Sequence, residues 1–534
     1  MATQISYVLS KYKDIISKSY LISSGSPAVY QLRTKEEKFG TLTRKTVGEK
    51  NLNKTNKTIL LVGETGTGKS TLINALVNYT MGVKFDDNIW FKIVEDEKRS
   101  QSESQTSDVI VYQIFGFEGE TLPFSLTIID TPGYGDTRGI EKDVIVNERL
   151  LDLFCSDEGV HVLDAVGLVL KASENRLSDR KKYIFDSVVS LFGKDIEREK
   201  IVALITHSDG RRPKNALTAL EAANIKCAKN EKNQPVYFLF DNCQDDARQE
   251  DEIEALERSY NVTLKGMRQL TDFIGKTAPQ ELGKTVEVLN ARVELTACIN
   301  NLQERIQLID LKQTEIRQTK EALKKLELES DERTTVEVDE VYKEKEIIHC
   351  GMWWGFFYQG AVCCDVCEEN CHYPCTIAWT PGGCEIMKKK HCTVCTKKCH
   401  VSKHVKENQR YVNKTRRVKK TKKELKQTYE LEHQETKDVL RSLERETEKF
   451  DQQKNDWLDE AYEYVVRLQQ IALNVNSAST HVHLDFLIEK MKERGDMRKM
   501  QKLEEIKSGQ DKGTKTVLGY LLGGLKSAAG KANS

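Results

Sequence analysis

A chain of 534 residues is too long for one ordinary domain and predicts two to four. Its 82 Lys+Arg balance 82 Asp+Glu, which excludes a global electrostatic attraction to nucleic acid. With 31% charged and 39% hydrophobic residues the composition predicts a water-exposed, helix-rich protein, and no run approaches the roughly 20 apolar residues of a membrane span.

Residues 1–56 are polar, with Lys/Thr/Asn-rich patches, and are expected to form a partly ordered lead-in. Met1-Ala2-Thr3-Gln4 carries neither a signal-peptide core nor a myristoylation glycine, so a cytoplasmic address is the expectation. From 57 to 277, apolar runs alternate with helical patterns such as Lys142–Cys155 and Asp179–Phe192. Strands are predicted at Thr58–Val62, Val109–Phe115, Phe124–Asp130, Ala165–Lys171, Ile201–Thr206 and Pro235–Phe240. This alternation predicts an α/β fold with a mostly parallel sheet flanked by helices, with ligands at the carboxyl ends of its strands.

The first of those strands runs into Gly63-Glu64-Thr65-Gly66-Thr67-Gly68-Lys69-Ser70, and Thr71 continues into a helical pattern. Strand, G-x-x-x-x-G-K-S and helix are the context of a phosphate-binding loop. Glycines let the backbone N–H groups wrap a diphosphate, and the helix N-terminus adds a partial positive charge. Lys69 would reach the β- and γ-phosphates and the Ser70 hydroxyl would ligate Mg²⁺. The third strand ends at Asp130, followed by Thr131-Pro132-Gly133-Tyr134-Gly135-Asp136. An aspartate there can hold Mg²⁺ through water, and the Gly133 N–H can sense a γ-phosphate, making the segment to about Glu141 a switch. The fifth strand ends Thr206-His207-Ser208-Asp209. Asp209 could accept from both N1–H and the N2 amine of guanine, a donor pair that adenine lacks. Thr206 and His207 lie beside it, and Asn242 after the sixth strand would brace the base.

Gly63–Thr71, Asp130–Asp136, Thr206–Asp209 and Phe240–Asn242 together resemble the septin and immunity-associated branch of the P-loop GTPases. The resemblance covers residues 57–277 and implies binding of GTP and GDP with Mg²⁺ and hydrolysis of GTP. By the same resemblance Thr106 looks like the first-switch threonine that closes on Mg²⁺ and γ-phosphate, and it joins Lys69 as a catalytic candidate. Two departures stand out. His207 replaces the lysine of the common base-reading motif, and Tyr134 stands where Ras-like enzymes carry a water-orienting glutamine. Hydrolysis is therefore expected to be slow or to depend on dimerisation.

Residues 278–346 shift to Glu/Lys/Leu/Arg/Gln without proline between 280 and 346. Leu295, Ile299, Leu302, Ile306, Ile309, Gln313, Ile316, Lys320 and Leu323 follow heptad steps and predict a coiled-coil helix. Trp457, Ala461, Tyr464, Leu468, Ile471 and Val475 repeat the steps, so an antiparallel helical hairpin with the intervening insert at its tip is expected. That insert, residues 347–405, concentrates the cysteines: of 14, ten fall between Cys350 and Cys399, a clustering that favours metal over disulfides in a reducing compartment. Ligand candidates for about two structural Zn²⁺ ions are Cys364, Cys367, Cys371, Cys375, Cys384, Cys392, Cys395, Cys399 and one or two of His372, His400 and His404. The pairing stays open.

Residues 406–505 are expected to be basic and then amphipathic helices, and 506–534 a flexible tail with a short apolar stretch at Val517–Leu525. The basic run 397–426, with Trp353, Trp354 and Tyr358 nearby, could meet nucleic-acid phosphates or an anionic membrane, but pairing with the acidic arm at 327–346 would neutralise it. The sequence thus points to a guanine-nucleotide switch with a coiled-coil and zinc output arm, self-associating through either part or meeting a protein at the zinc tip. The rival is a nucleotide-stabilised scaffold or nucleic-acid- or membrane-binding protein with little turnover.

Overall fold

The computed structural model describes residues 11–39, 42–95, 109–132, 149–174, 198–222, 227–327, 335–348, 360–375, 380–421, 436–472 and 478–508, with isolated positions between these ranges. Thr106, Gly133, Tyr134, Trp353, Trp354, Tyr358, Val475 and Val517–Leu525 lie outside the described residues. The chain divides into two compact units, built chiefly on Met1–Leu289 with Ile471–Ala478, and on Asn290–Gln470 with Ser479–Gly509.

The first unit is organised on an eight-stranded sheet. Its strands are β1 (Lys35–Phe39), β2 (Leu42–Val47), β3 (Asn56–Val62), β4 (Ile110–Ile114), β5 (Ser125–Asp130), β6 (Ala165–Lys171), β7 (Ile201–Thr206) and β8 (Tyr237–Leu239). Across the sheet they run β8-β7-β6-β3-β5-β4-β2-β1, parallel from β8 to β5. β4 is antiparallel to β5 and parallel to β2, and β1 closes the edge as a hairpin with β2. β3 lies at the centre because Ile59, Leu60, Leu61 and Val62 are apolar on both faces, as a strand covered on both sides requires, and all four are fully buried. Helices α1 (Lys69–Thr80), α2 (Lys214–Ala222) and α3 (Ile253–Lys276) flank it.

Before β3 the chain is more ordered than its composition predicts. β1 and β2 extend the sheet, and Tyr20–Ser23, Ala28–Gln31 and Ile89–Lys92 form a second, three-stranded sheet. Edge strands keep one face in solvent, so Leu42-Thr-Arg-Lys-Thr-Val47 reads as polar although Leu42, Lys45 and Val47 turn inward. Tyr12 is buried edge-on against Phe91, and its hydroxyl donates to Gly82 O at 3.0 Å or Asp87 Oδ2 at 3.1 Å.

In the second unit α4 (Gly283–Glu327), which starts in the first unit, and α5 (Thr436–Ile471) lie antiparallel. Asp310 faces Lys454, Gln313 faces Asp451 and Lys320 faces Glu444, so partners climb one helix as they descend the other. The expected seam on α4 is the buried one: Leu295, Ile299, Leu302, Ile306, Ile309, Ile316 and Leu323. On α5 the buried line is Leu458, Ala461, Val465 and Leu468, followed by Ala472 just past its end, shifted by one residue at Leu458, Val465 and Ala472 from the sequence register.

Helix does not continue to 346. β9 (Thr335–Ile347) pairs antiparallel with β13 (Gln409–Thr421) over 13 residues, where helix was expected in both arms. Val336 and Val338 alternate with Glu337 and Asp339, a period of two that the acidic composition hides. The register sets opposite charges across the ladder: Lys414 on Glu344 and Glu346, Arg416 and Lys420 on Glu340, Arg417 on Asp339, Lys419 on Glu337. The part of the basic run that lies on β13, from Lys414 to Lys420, is thereby paired with its own partner strand.

The cysteine module is not at a tip. The ribbon turns back along the helices and brings β10 (Gly360–Cys364), β11 (Glu369–Cys375) and β12 (His404–Glu407), a three-stranded sheet, against the middle of the pair. Arg305 of α4 donates to Glu369 Oε2 and Val394 O, each at 2.7 Å, and Asn301 donates to Asn370 O at 2.9 Å. Lys398 reaches Glu460 of α5 at 2.6 Å.

Because Tyr12 ties the N-terminal segment into the core, Tyr12→Ala should cost about 3 kcal/mol in chemical denaturation of the full chain. Lys11→Ala, on the exposed neighbour, should cost less than about 0.5 kcal/mol.

Candidate nucleotide site and metal centre

The phosphate loop emerges between β3 and α1, at the carboxyl ends of β3, β5, β6 and β7. Gly63 is required by close approach: a Cβ there would stand 2.7 Å from Val169 O on β6 and 2.9 Å from Thr67 Oγ1. Gly68 has φ +87° and forms the N-cap of α1, which no side chain caps. The helix therefore presents its first N–H groups to whatever the loop encloses, which is the fit an anionic phosphate needs. Thr65 Oγ1, buried without a hydrogen bond, adds a further polar group to the same loop.

Lys69 is buried, and its ammonium donates to Gly63 O at 2.8 Å and Glu64 O at 3.4 Å. Burial pulls its pKa down, while the charges of Asp130 and Glu64 oppose that pull. Asp130, the last residue of β5, is fully buried. The adjacent Thr131 donates to Leu61 O at 2.9 Å, fastening the β5 end to β3. Ser70 and Thr71 sit in the first turn of α1.

Thr206 does something its sequence position does not announce. Its hydroxyl lies 2.7 Å from Thr67 O in the loop and 3.1 Å from Leu170 O on β6, bracing the loop against the sheet. His207 has φ +52°, and its ring edge comes to 3.6 Å from where a Cβ on Gly68 would be, so it borders the loop in place of the usual lysine stem. Burial and the Lys171 charge lower its pKa, which favours the neutral imidazole. Asp209 is exposed; its Oδ1 accepts from Arg211 N at 2.9 Å, and Arg211 Nε lies 3.8 Å from Oδ2. Asn242 Oδ1 accepts from Thr263 at 3.3 Å, whereas its Nδ2 is buried with no hydrogen bond, a donor held ready for an acceptor. Thr67 and Thr206 are where the sequence placed them, but the bracing between them, and Thr263 behind Asn242, are contacts between segments distant in the chain that sequence spacing could not reveal.

The second unit holds a dense set of thiols. Cys364, Cys367, Cys395 and Cys399 place one ligand atom each within 4.8 Å of one another, as do Cys371, Cys392, Cys395 and His404, and as do His372, Cys375 and Cys384. All eight cysteines expected as ligands fall in these groups, with His372 and His404. His400 does not: it is exposed, with Nδ1 on Ser402 Oγ at 3.0 Å and its ring edge-on to His391. Its part is structural, because its carbonyl lies 3.1 Å from His404 Nδ1. With Nδ1 anchored there, the buried Nε2 of His404 is turned toward the Cys392 and Cys395 thiols, the orientation in which a carbonyl holds one ring nitrogen and leaves the other to bind a metal. Cys363 points elsewhere, its thiol 3.3 Å from Asn370 Oδ1. Hydrogen bonds from Cys371 and Cys392 hold the Cys395 thiol well below its ordinary pKa, so a thiolate, the form that binds metal, is favoured at the centre of the group.

Comparison with known proteins agrees with the first of these sites. The model of the AIG1 family matches residues 57–258. Translocase of chloroplast 34 homolog, chloroplastic, of Chlamydomonas reinhardtii is 30% identical over 152 residues, which cover 28% of this chain and 34% of that one. Septin-1 of Mus musculus is 22% identical over 219 residues, 38% of this chain and 54% of that one. The chain thus spans about a third and about half of the length of these two relatives. Among solved structures, Toc33 from Arabidopsis thaliana in complex with Mg²⁺ and GMPPNP aligns at 15% identity and TM-score 0.29, covering 43% of this chain and 89% of that one. The bacterial dynamin GTPase LeoA from ETEC aligns at 17% and 0.25, covering 51% and 47%.

Replacing Lys69 by Met keeps its volume but removes its charge. It should weaken Mg²⁺-nucleotide binding by roughly 30- to 100-fold in calorimetric titration while leaving the melting temperature close to wild type. The stretch that is similar to the AIG1 family model, residues 57–258, is thus the one whose P-loop-type α/β fold carries the loop, Asp130, Asp209 and Asn242.

Proposed function

We propose that the protein is a guanine-nucleotide switch that hydrolyses GTP to GDP slowly or on self-association, and that its second unit is the output arm. The observation that carries this reading is the loop itself, with Gly63 against β6, an uncapped α1 N-terminus, and Lys69 and Asp130 converging on it. Bound Mg²⁺ would supply charge to the triphosphate and its transition state. Ser70 and Asp130 are the residues to hold that ion, with Thr106 as the further candidate from the segment before β4. Lys69 holds the β- and γ-phosphates, and Gly133 senses the γ-phosphate. Thr206 keeps the loop in register with the sheet.

Base choice falls to Asp209 with Asn242. The exposed Asp209 carboxylate, bound among the described residues by the Arg211 amide and a long contact to the Arg211 guanidinium, keeps lone pairs for the N1–H and N2 amine of guanine. Asn242 Nδ2 would donate to O6. His207 is suited to pack against the base or loop, without the lysine's positive charge. The Cys/His groups are read as structural zinc sites, since a module with few aliphatic side chains needs metal to hold its shape. The site of action is proposed to be cytoplasmic.

Single-turnover hydrolysis separates this reading from a nucleotide-stabilised scaffold. Phosphate release from bound GTP that rises with protein concentration is expected, and no release at any concentration would reject turnover. Asp209→Asn should shift preference from guanine to xanthine nucleotides by at least 10-fold, because the amide donates where the carboxylate accepted. Unchanged GTP affinity would remove Asp209 from the site.

A further inference from the structure

Three ligand groups, rather than the two that spacing predicts, converge in the cysteine module, and their membership is informative. Two are complete tetrads that share Cys395, and the third, His372, Cys375 and Cys384, has no member in common with either. We propose that the module holds three zinc ions: two bridged by the Cys395 thiolate, and a third bound separately by His372, Cys375 and Cys384, beside the Glu385 carboxylate. The proposal rests on reading the module as a zinc centre.

The distances are those of ligand tetrahedra. With Zn–S near 2.3 Å, the sulfur-to-sulfur edge of a tetrahedron is about 3.8 Å. Cys367 and Cys399 stand 3.8 Å apart, and Cys375 and Cys384 stand 3.9 Å apart. At the third site His372 Nδ1 lies 3.1 Å from Cys384 Sγ and 3.6 Å from Glu385 Oε2, and that oxygen lies 3.6 Å from Cys384 Sγ. Edges of roughly 3.5 Å are expected where one sulfur is replaced by nitrogen or oxygen at about 2.0–2.2 Å from the metal. Glu385 is the feature that no sequence pattern marks. Its side chain is only 9% exposed and lies against His372 and Cys384, so a cation held by the neighbouring ligands would keep the carboxylate charged.

Sharing of Cys395 follows from the count. The two tetrads offer eight positions to seven residues, so one sulfur must serve twice, and Cys395 is the one within reach of both. Backbone amides support the same sulfurs: Cys399 N–H donates to Cys395 Sγ at 3.2 Å, and Val394 and Cys395 N–H donate to Cys392 Sγ at 3.3 Å each. Such amides orient thiolate ligands. On binding, each thiol gives its proton to solvent. The third site, with two soft sulfurs against four or three in the others, is the one that yields its metal first.

Zinc counted by mass spectrometry on the purified full chain should give three ions per chain, and His372→Ala/Cys375→Ser should give two with the melting temperature of the remainder preserved. A chelator titration of the wild-type chain is independent of whether the variant folds, and should release one ion ahead of the other two. Two ions in wild type and in the variant, or three in both, would overturn the third site while leaving a zinc centre. A folded chain with no bound metal would overturn the zinc reading itself. Release of all ions in a single step would overturn the separate third site.

Discussion

The nucleotide domain depends on one constraint: β3 must end level with β5 and β6 while its chain reverses into α1. Parallel pairing on both sides fixes that level, setting Leu61 opposite Asp130 and Val62 opposite Leu168. The close approach of Val169 then admits only glycine at position 63, Thr131 fastens the end of β5 to Leu61 of β3, and Thr206 braces the loop at Thr67. Lys69 and Asp130 come together because their strands do. The site's chemistry is thus a consequence of strand register, which in turn rests on the unbroken burial of Ile59 to Val62.

The second unit solves a different problem. Its two arms are strongly charged and of opposite sign, and the structure pairs them as a β-ribbon whose cross-strand ion pairs match Lys414 to Thr421 with Glu337 to Glu346. Most of these pairs are solvent-exposed and each contributes little to stability. Their larger effect is on register, because a slip of one residue would separate most of the matched pairs and set Lys343 against Lys414 or Lys345 against Arg410. The ribbon returns the cysteine module to the side of the helices, where Arg305 and Asn301 hold it.

Much of this was legible in the chain. Aliphatic runs bounded by motif residues placed all six predicted strands of the central sheet, since strands covered on both faces are continuous apolar runs. The seam on α4 was equally plain, because Leu295 to Leu323 repeats without a break in phase. What stayed hidden has physical reasons. β1 and β2 face solvent on one side and so look polar. β9 and β13 are edge-like, charged strands whose alternation is masked by Glu and Lys, residues that favour helix in isolation. In the site, Gly63, Lys69, Asp130 and Asp209 could be placed by motif, but the bracing hydroxyl of Thr206 and the orientation of His404 depend on contacts with distant backbone. His400 and His404 have similar spacing to the cysteines, and only the turn between them decides which imidazole faces the sulfurs.

On the proposed reading, the loop and Asp209 together select guanine nucleotides. Competitive calorimetric titration of the full chain with Mg²⁺-GTP, GDP and ATP tests it most directly. GTP and GDP should bind at least roughly 100-fold more tightly than ATP, through hydrogen bonds that adenine cannot make. Equal binding of ATP and GTP, or no binding of either, would contradict it.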